Sequence, residues 1–329
     1  MSGFPDAMDP RSAATAPDAP PVPRSHVAGL AFRNPVVLAS GTAGFGREVA
    51  DVVDLDAVGA VATKAVSVLP RAGNPALRVG EFAGGMVNAV GLANPGLEAV
   101  RRECLPWLPA HHPGTRVLVN VVGNRLEEFE QVVATLDPEP GVDGFELNVS
   151  CPNVKAGGLE FGADAGVLAE LVAAARRVTA RPLFVKLSPT LGAGIADMAR
   201  VAVDHGATGV TVVNTLPGLV IDTARRRPRL SFGSGGVSGP ALLPVGVLAT
   251  WRVHQALPDL PVIGLGGVSS ADDALQYLLA GASLVGVGTA ALRDPRAPAR
   301  IARGLTRWAE REGVGAWSAV RGTLRWPGT

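Results

Sequence analysis

Eight short apolar runs recur along this chain, each stopped by a glycine or a polar residue, with stretches of helical spacing between them. They are Pro35–Ser40, Val58–Lys64, Arg116–Val122, Asp143–Val149, Pro182–Ser188, Thr208–Asn214, Pro261–Leu265 and Ser283–Val287. Unbroken apolar runs of this length read as strands buried on both faces, the habit of parallel sheets covered by helices. Helices are expected near Arg47–Leu55 and over Leu97–Cys104, Leu126–Leu136, Ala165–Val178, Gly194–Asp204, Ala241–Leu257 and Ala271–Ala280, and through most of the chain from Thr289. Eight such alternations over roughly 250 residues point to an α/β fold, the (β/α)8 TIM barrel. The rival, a doubly wound open sheet, calls for G-x-G-x-x-G after the first strand, and none is present there. Two connections, Ala65–Pro95 and Thr215–Pro240, are too long for ordinary turns and are candidate functional loops.

Residues 1–26 are rich in Pro, Ala and Ser and lack an apolar signal-like core, so a disordered tail is expected ahead of a barrel domain spanning 27–329. A net charge of +1 without a basic block argues against nucleic acid as the partner, and no run of 18 apolar residues suggests a membrane span. A cytoplasmic location is expected. Cys104 and Cys151 are the only cysteines, too few for a disulfide framework, a four-cysteine zinc site or an iron–sulfur cluster.

The polar residues fall at one place in the pattern. Ser40, Lys64, Asn120, Asn148, Lys186 and Asn214 end strands one to six, and Gly266-Gly267 and Gly288-Thr289 follow strands seven and eight. In a barrel all these ends open on one face, the face that carries active sites. The glycine pairs put bare backbone N–H groups beside helix N-termini, which suits a ligand phosphate, although tight turns alone also use glycine. Lys64 and Lys186 would point into the mouth or snorkel to its rim. In the mouth they need an anionic partner, and a flavin, which gathers charge on its pyrimidine ring when reduced, supplies one.

Phe145-Glu-Leu-Asn-Val-Ser-Cys-Pro-Asn153 runs from the fourth strand into a Gly-containing loop and offers Asn148, Cys151 and Asn153 within six residues. No histidine is near enough in sequence to pair with Cys151, so the thiol is a candidate general base rather than half of a nucleophilic pair. A buried inert thiol is the other reading, and it suits Cys104 on its apolar helix face better. In the first long loop, Asn88-Ala-Val-Gly-Leu92, with Asn148 and Asn214-Thr215, could serve the alternating N–H and C=O edge of a small flat polar ring.

These motifs resemble the dihydroorotate dehydrogenases over about residues 27–310. Asn148-Val-Ser-Cys-Pro-Asn153, Gly85-Met-Val-Asn-Ala-Val-Gly-Leu92, Val185-Lys-Leu187, Val213-Asn-Thr215 and Ser238-Gly-Pro240 carry the likeness, together with the paired glycines. The resemblance implies one FMN per chain, held by Ser40, Lys64, Ala65, Asn120, Asn148, Lys186, Val213, Gly239, Gly266, Gly267, Gly288 and Thr289. It implies dihydroorotate held by Lys64, Asn88, Ala89, Val90, Gly91, Leu92, Asn148, Asn214 and Thr215. Cys151 would take the C5 proton while hydride leaves C6 for the flavin. A cysteine there, where the membrane-associated class carries serine, marks class 1. Ala65 and Val66 stand where relatives often carry hydroxyls, so flavin contacts at these positions are expected through the backbone. Arg71-Ala-Gly-Asn-Pro75, Gly85-Met-Val-Asn-Ala89, Thr215-Leu-Pro-Gly-Leu-Val-Ile-Asp222 and Arg227-Pro-Arg-Leu-Ser231 resemble the NAD-linked class 1B catalytic subunit. That likeness implies a homodimer within a heterotetramer, whose second subunit carries FAD and [2Fe–2S]. The alternatives are the fumarate-linked class 1A enzyme, a flavin-free barrel lyase or aldolase, and a non-catalytic scaffold barrel.

Overall fold

The computed structural model describes residues 23–150 and 160–327. Its centre is a closed barrel of eight parallel strands: β1 (Val36–Leu38), β2 (Ala60–Ala62), β3 (Arg116–Val121), β4 (Gly144–Asn148), β5 (Leu183–Leu187), β6 (Gly209–Val212), β7 (Val262–Leu265) and β8 (Leu284–Val287). Each strand pairs with the next in sequence, and β8 closes on β1 through Val285↔Val36. This is the TIM barrel that eight apolar runs separated by helices imply.

Around it lie α1 (Leu126–Leu136), α2 (Ala165–Arg177), α3 (Ile195–Asp204), α4 (Leu243–Ala256), α5 (Ala271–Ala280) and α6 (Ala297–Arg311). The apolar stripe of α1, Phe129, Val132, Val133 and Leu136, is fully buried against the barrel. α5 begins on a capping box, Ser270 with Asp273, and ends at Gly281 in the left-handed region, which fixes its length at both ends.

Strand residues alternate between two faces, so the barrel interior takes every second side chain. Its lower part is an apolar plug of Val37, Ala60, Ala62, Leu118, Phe184, Ile263 and Leu284. A hairpin of Ser25–Val27 and Leu30–Phe32 closes the bottom by adding Val27 and Phe32 to that plug. Ser25 and His26, expected in the tail, therefore belong to the barrel floor, where each apolar side chain removed from water contributes roughly 1.5–3 kcal/mol. The Trp317 indole N–H donates to Pro23 O (2.8 Å), tying the start of the described chain to the C-terminal region.

Three expectations change. The segment 47–55 is not one helix. Arg47–Val49 is a 3-10 turn entered from Gly46 at φ 99°, and Asp54 caps a second, Leu55–Ala57, by accepting from Ala57 N (3.1 Å). A further short helix, Trp107–His111, follows the one at Leu97. The two long connections meet in a four-stranded antiparallel sheet ordered Leu216–Gly218, Gly235–Ser238, Gly85–Asn88, Val79–Phe82. No helix among the described residues is long and apolar enough to cross a membrane.

Candidate active site

A cavity of ≈ 1930 Å³ opens at the C-terminal ends of the strands, walled on one side by the added sheet. Nearly every residue singled out in the sequence lines it: Ser40, Lys64 and Ala65 from the ends of β1 and β2, Asn148 and Lys186 from β4 and β5, and Val213, Asn214 and Thr215 after β6. Asn88, Ala89, Val90, Gly91 and Leu92 line it from the first long connection, Gly239 from the second, and Gly266, Gly267, Gly288 and Thr289 from the turns after β7 and β8. Asn120 does not line the cavity; it is wholly buried below it, inside the barrel. Cys151 and Asn153 lie outside the described residues, but their described flanks, Ser150 and Glu160, both line the cavity.

The floor is a polar layer made by register. Asn120 on β3 pairs with Glu146 on β4, Asn148 on β4 with Lys186 on β5, and Lys186 with Thr211 on β6. Asn120 Nδ2 donates to Glu146 Oε1 (2.7 Å) and Thr211 Oγ1 donates to Glu146 Oε2 (2.8 Å). The Lys186 ammonium stands 3.6 Å from Glu146 Oε1. Above them Asn214 Nδ2 donates to Asn148 Oδ1 (3.2 Å), and Thr215 N donates to Asn214 Oδ1 (2.8 Å). The Asn214 side chain therefore presents its amide in one orientation. Lys64 has no carboxylate partner among the described residues, which leaves its ammonium available to an anion in the mouth.

At the rim, Gly267 holds φ +76°, where a Cβ would lie 2.5 Å from Leu243 N. The turn is held from below by the Tyr277 hydroxyl, which donates to Gly266 O (2.7 Å). Burial, with a smaller push from Asp273, raises the Tyr277 phenol far above its ordinary range. The sign follows: a phenol kept neutral in the fold contributes stability that is intact below about pH 10, the unfolded pKa, and is lost above it. Tyr277→Phe should lower stability by ~1–3 kcal/mol by orphaning the Gly266 carbonyl. It should also flatten the alkaline side of the stability curve; urea melts at neutral pH and above pH 10 read both effects. Thr289 Oγ1 donates to Ser238 Oγ (2.8 Å), joining the turn after β8 to the added sheet.

Three residues escaped the sequence reading. Glu146 was visible as a charge inside an apolar strand, two positions before Asn148 and so on the same face. Asn94 organises the first connection: its Nδ2 donates to Leu92 O (2.9 Å) and Ser67 Oγ (2.8 Å), while its Oδ1 accepts from Gly96 N (2.9 Å). It thereby holds Leu92 at φ 55°, a conformation L residues rarely adopt. Glu160 borders the cavity with its carboxyl pushed up by burial, an effect a hydrogen bond with Ser188 opposes. Cys104 behaves as expected of an inert thiol, its pKa raised by burial and then by Glu48 and Glu103. Among the described residues no cluster of His, Cys, Asp or Glu is placed to hold a metal ion.

Comparison with known proteins identifies the family. The family model described as dihydroorotate dehydrogenase matches residues 23–308. A Geotalea uraniireducens protein named dihydroorotate dehydrogenase B (NAD(+)), catalytic subunit, is 47 % identical over 298 residues, covering 91 % of this chain and 96 % of its own. A Pelobacter propionicus protein of the same name is 47 % identical over 91 % of this chain and 97 % of its own. A Solibacter usitatus protein, provisionally named dihydroorotate dehydrogenase A (fumarate), is 46 % identical over the same shares, 91 % and 97 %. With a family model spanning most of its length and such relatives matching it nearly end to end, this chain belongs to the dihydroorotate dehydrogenase family.

Proposed function

We propose that this chain oxidises dihydroorotate to orotate with FMN seated across the barrel mouth, and passes electrons to NAD through a partner subunit. The observation that carries the reading is the oriented Asn148–Asn214 amide pair, standing in one cavity with the Lys64 ammonium, which has no carboxylate partner among the described residues. Amides serve the ring N–H and C=O groups of a dihydropyrimidine, and a free ammonium serves its carboxylate.

The cavity's chemistry suits a flavin. Lys186 brings a cation to the floor, the Asn120 Oδ1 beneath it has no donor among the described residues, and a side chain at Gly267 would collide with backbone at the rim. FMN would be held by Ser40, Lys64, Ala65, Asn120, Asn148, Lys186, Val213 and Gly239, with its phosphate on the backbone N–H groups around Gly266, Gly267, Gly288 and Thr289. When bound, it supplies the acceptor for the hydride leaving C6. The chain's own work is to bind and orient the substrate through Lys64, Asn88–Leu92, Asn148, Asn214 and Thr215, and to take the C5 proton on the Cys151 sulfur. The strain at Leu92, held by Asn94, keeps the Asn88–Leu92 segment in place before substrate arrives.

The test is the visible spectrum of the purified chain: flavin bands that bleach on anaerobic addition of dihydroorotate are expected, and a colourless protein refutes the reading. The acceptor is decided separately. Relatives of both names stand at nearly equal identity. NAD reduction that requires a partner carrying FAD and [2Fe–2S] is expected; fumarate reduction by the chain alone would place it in class 1A. We further propose a homodimer within a heterotetramer, located in the cytoplasm.

A further inference from the structure

Glu146 is 2 % exposed, inside the barrel between the apolar plug and the mouth, and the proton and hydride transfers proposed above leave it without a task. We propose that Glu146 is a positioning residue that sets the charge offered to the flavin, by holding the Lys186 ammonium and the Asn120 amide in fixed orientation. The inference rests on the reading that the mouth holds FMN.

The geometry is that of a carboxylate used as an acceptor on both oxygens. Oε1 accepts from Asn120 Nδ2 and faces Lys186 Nζ, while Oε2 accepts from Thr211 Oγ1. One side chain on β4 thus ties down residues of β3, β5 and β6. Two consequences follow. A carboxylate has no hydrogen to give, so Asn120 must turn its NH₂ toward Glu146. Its Oδ1 is left without a donor among the described residues, so any further partner of that amide must bring an N–H or O–H. Lys186 is only 5 % exposed yet lines the cavity, and an ammonium so buried is tolerable because Glu146 lies 3.6 Å away.

The pairing also limits what Lys186 can do. Reduction puts negative charge on the flavin pyrimidine ring, and a lone cation on the floor would favour the reduced form. With Glu146 beside it the floor is close to neutral, so that preference is damped. The carboxylate is therefore a brake on the affinity for reduced flavin as well as an anchor for the lysine. A purely structural residue would behave otherwise: its loss would weaken oxidised and reduced flavin together.

Glu146→Gln in the FMN-loaded protein removes the charge and keeps the shape. Equilibrium reduction against a reference dye gives the ratio of affinities for reduced and oxidised FMN, and titration of FMN into the apoprotein gives the absolute affinity. The ratio should rise about tenfold, or ~30 mV for this two-electron couple. Lys186→Met should move it the other way. A ratio within twofold of wild type, whether or not both affinities fall, overturns the inference. Should the glutamine variant fail to fold, Glu146→Asp keeps the charge but withdraws it by one methylene. A rise of about threefold is then expected, and an unchanged ratio again overturns the inference. Wild-type protein that takes up no FMN sinks the reading of the mouth and this inference with it; wild type that binds FMN beside an unresponsive Glu146 variant sinks the inference alone.

Discussion

Replacing Cys151 with alanine should slow flavin reduction by dihydroorotate roughly 10²–10⁴-fold, the usual size of a general-base contribution, with FMN still bound. The expectation comes from where β4 delivers the chain. Asn148 ends that strand, and Ser150 and Glu160, which flank the Cys151 segment in sequence, both line the cavity. Cys104 is the internal control, since burial and two nearby carboxylates push its thiol pKa up and disfavour the thiolate. Cys104→Ala should leave the rate unchanged. Because the thiolate is the base, the wild-type rate should climb with pH as the thiol ionises. Cys151→Ser should push that climb to higher pH, since an alcohol gives up its proton less readily. Anaerobic single-turnover mixing, followed by flavin bleaching across pH 6–10 or so, measures all of these. Wild-type rates in Cys151→Ala would remove the base from the mechanism.

The same loop shows what a sequence makes legible. Barrel strands were readable because a strand buried on both faces has to be apolar throughout, so its ends show as the first glycine or polar residue. Leu126–Leu136 and Ala271–Ala280 were readable to the residue because helical periodicity and caps are local signals. The added sheet was not. Its strands are four residues or fewer, two of them open on glycine, and Val87 pairs with Val237 across the whole barrel. Pairing at such separation leaves no periodic trace, and the barrel, not the strands, brings the two segments together. Within the site, strand-end residues could be named because position along a strand predicts which face of the barrel they reach. Asn120 differs for a related reason: it lies below the residues that line the cavity. The sequence shows that a polar residue lies near a strand end, whereas its depth depends on the stagger between neighbouring strands. Glu146 carries no such signal, because one charge in an apolar strand has meaning only once Asn120, Lys186 and Thr211 are known to surround it.

Gly267→Ala should separate the two roles open to the glycine turns. At φ +76° an alanine is strained by ~1–2 kcal/mol on conformation alone. Its methyl would also meet Leu243 N at 2.5 Å and Leu243 Cα at 2.8 Å, both backbone atoms at the start of α4. That helix has little room to retreat, because Gly246, one turn further on, packs directly against the Tyr277 hydroxyl. The turn must open instead, which moves the Gly266–Gly267 N–H groups away from any phosphate they serve. If the displacement forfeits two charge-assisted hydrogen bonds at ~1.5 kcal/mol each, FMN affinity falls about 10²-fold. Gly192→Ala provides the comparison, since Gly192 holds φ +54° with nothing within 4 Å of its Cβ position. It should lose the conformational term and keep wild-type FMN affinity. Flavin fluorescence titration and urea melts on both variants read the two quantities independently. Equal destabilisation with wild-type FMN affinity in Gly267→Ala would mean that the glycine serves only to turn the chain, and the phosphate would then have to lie elsewhere on the rim.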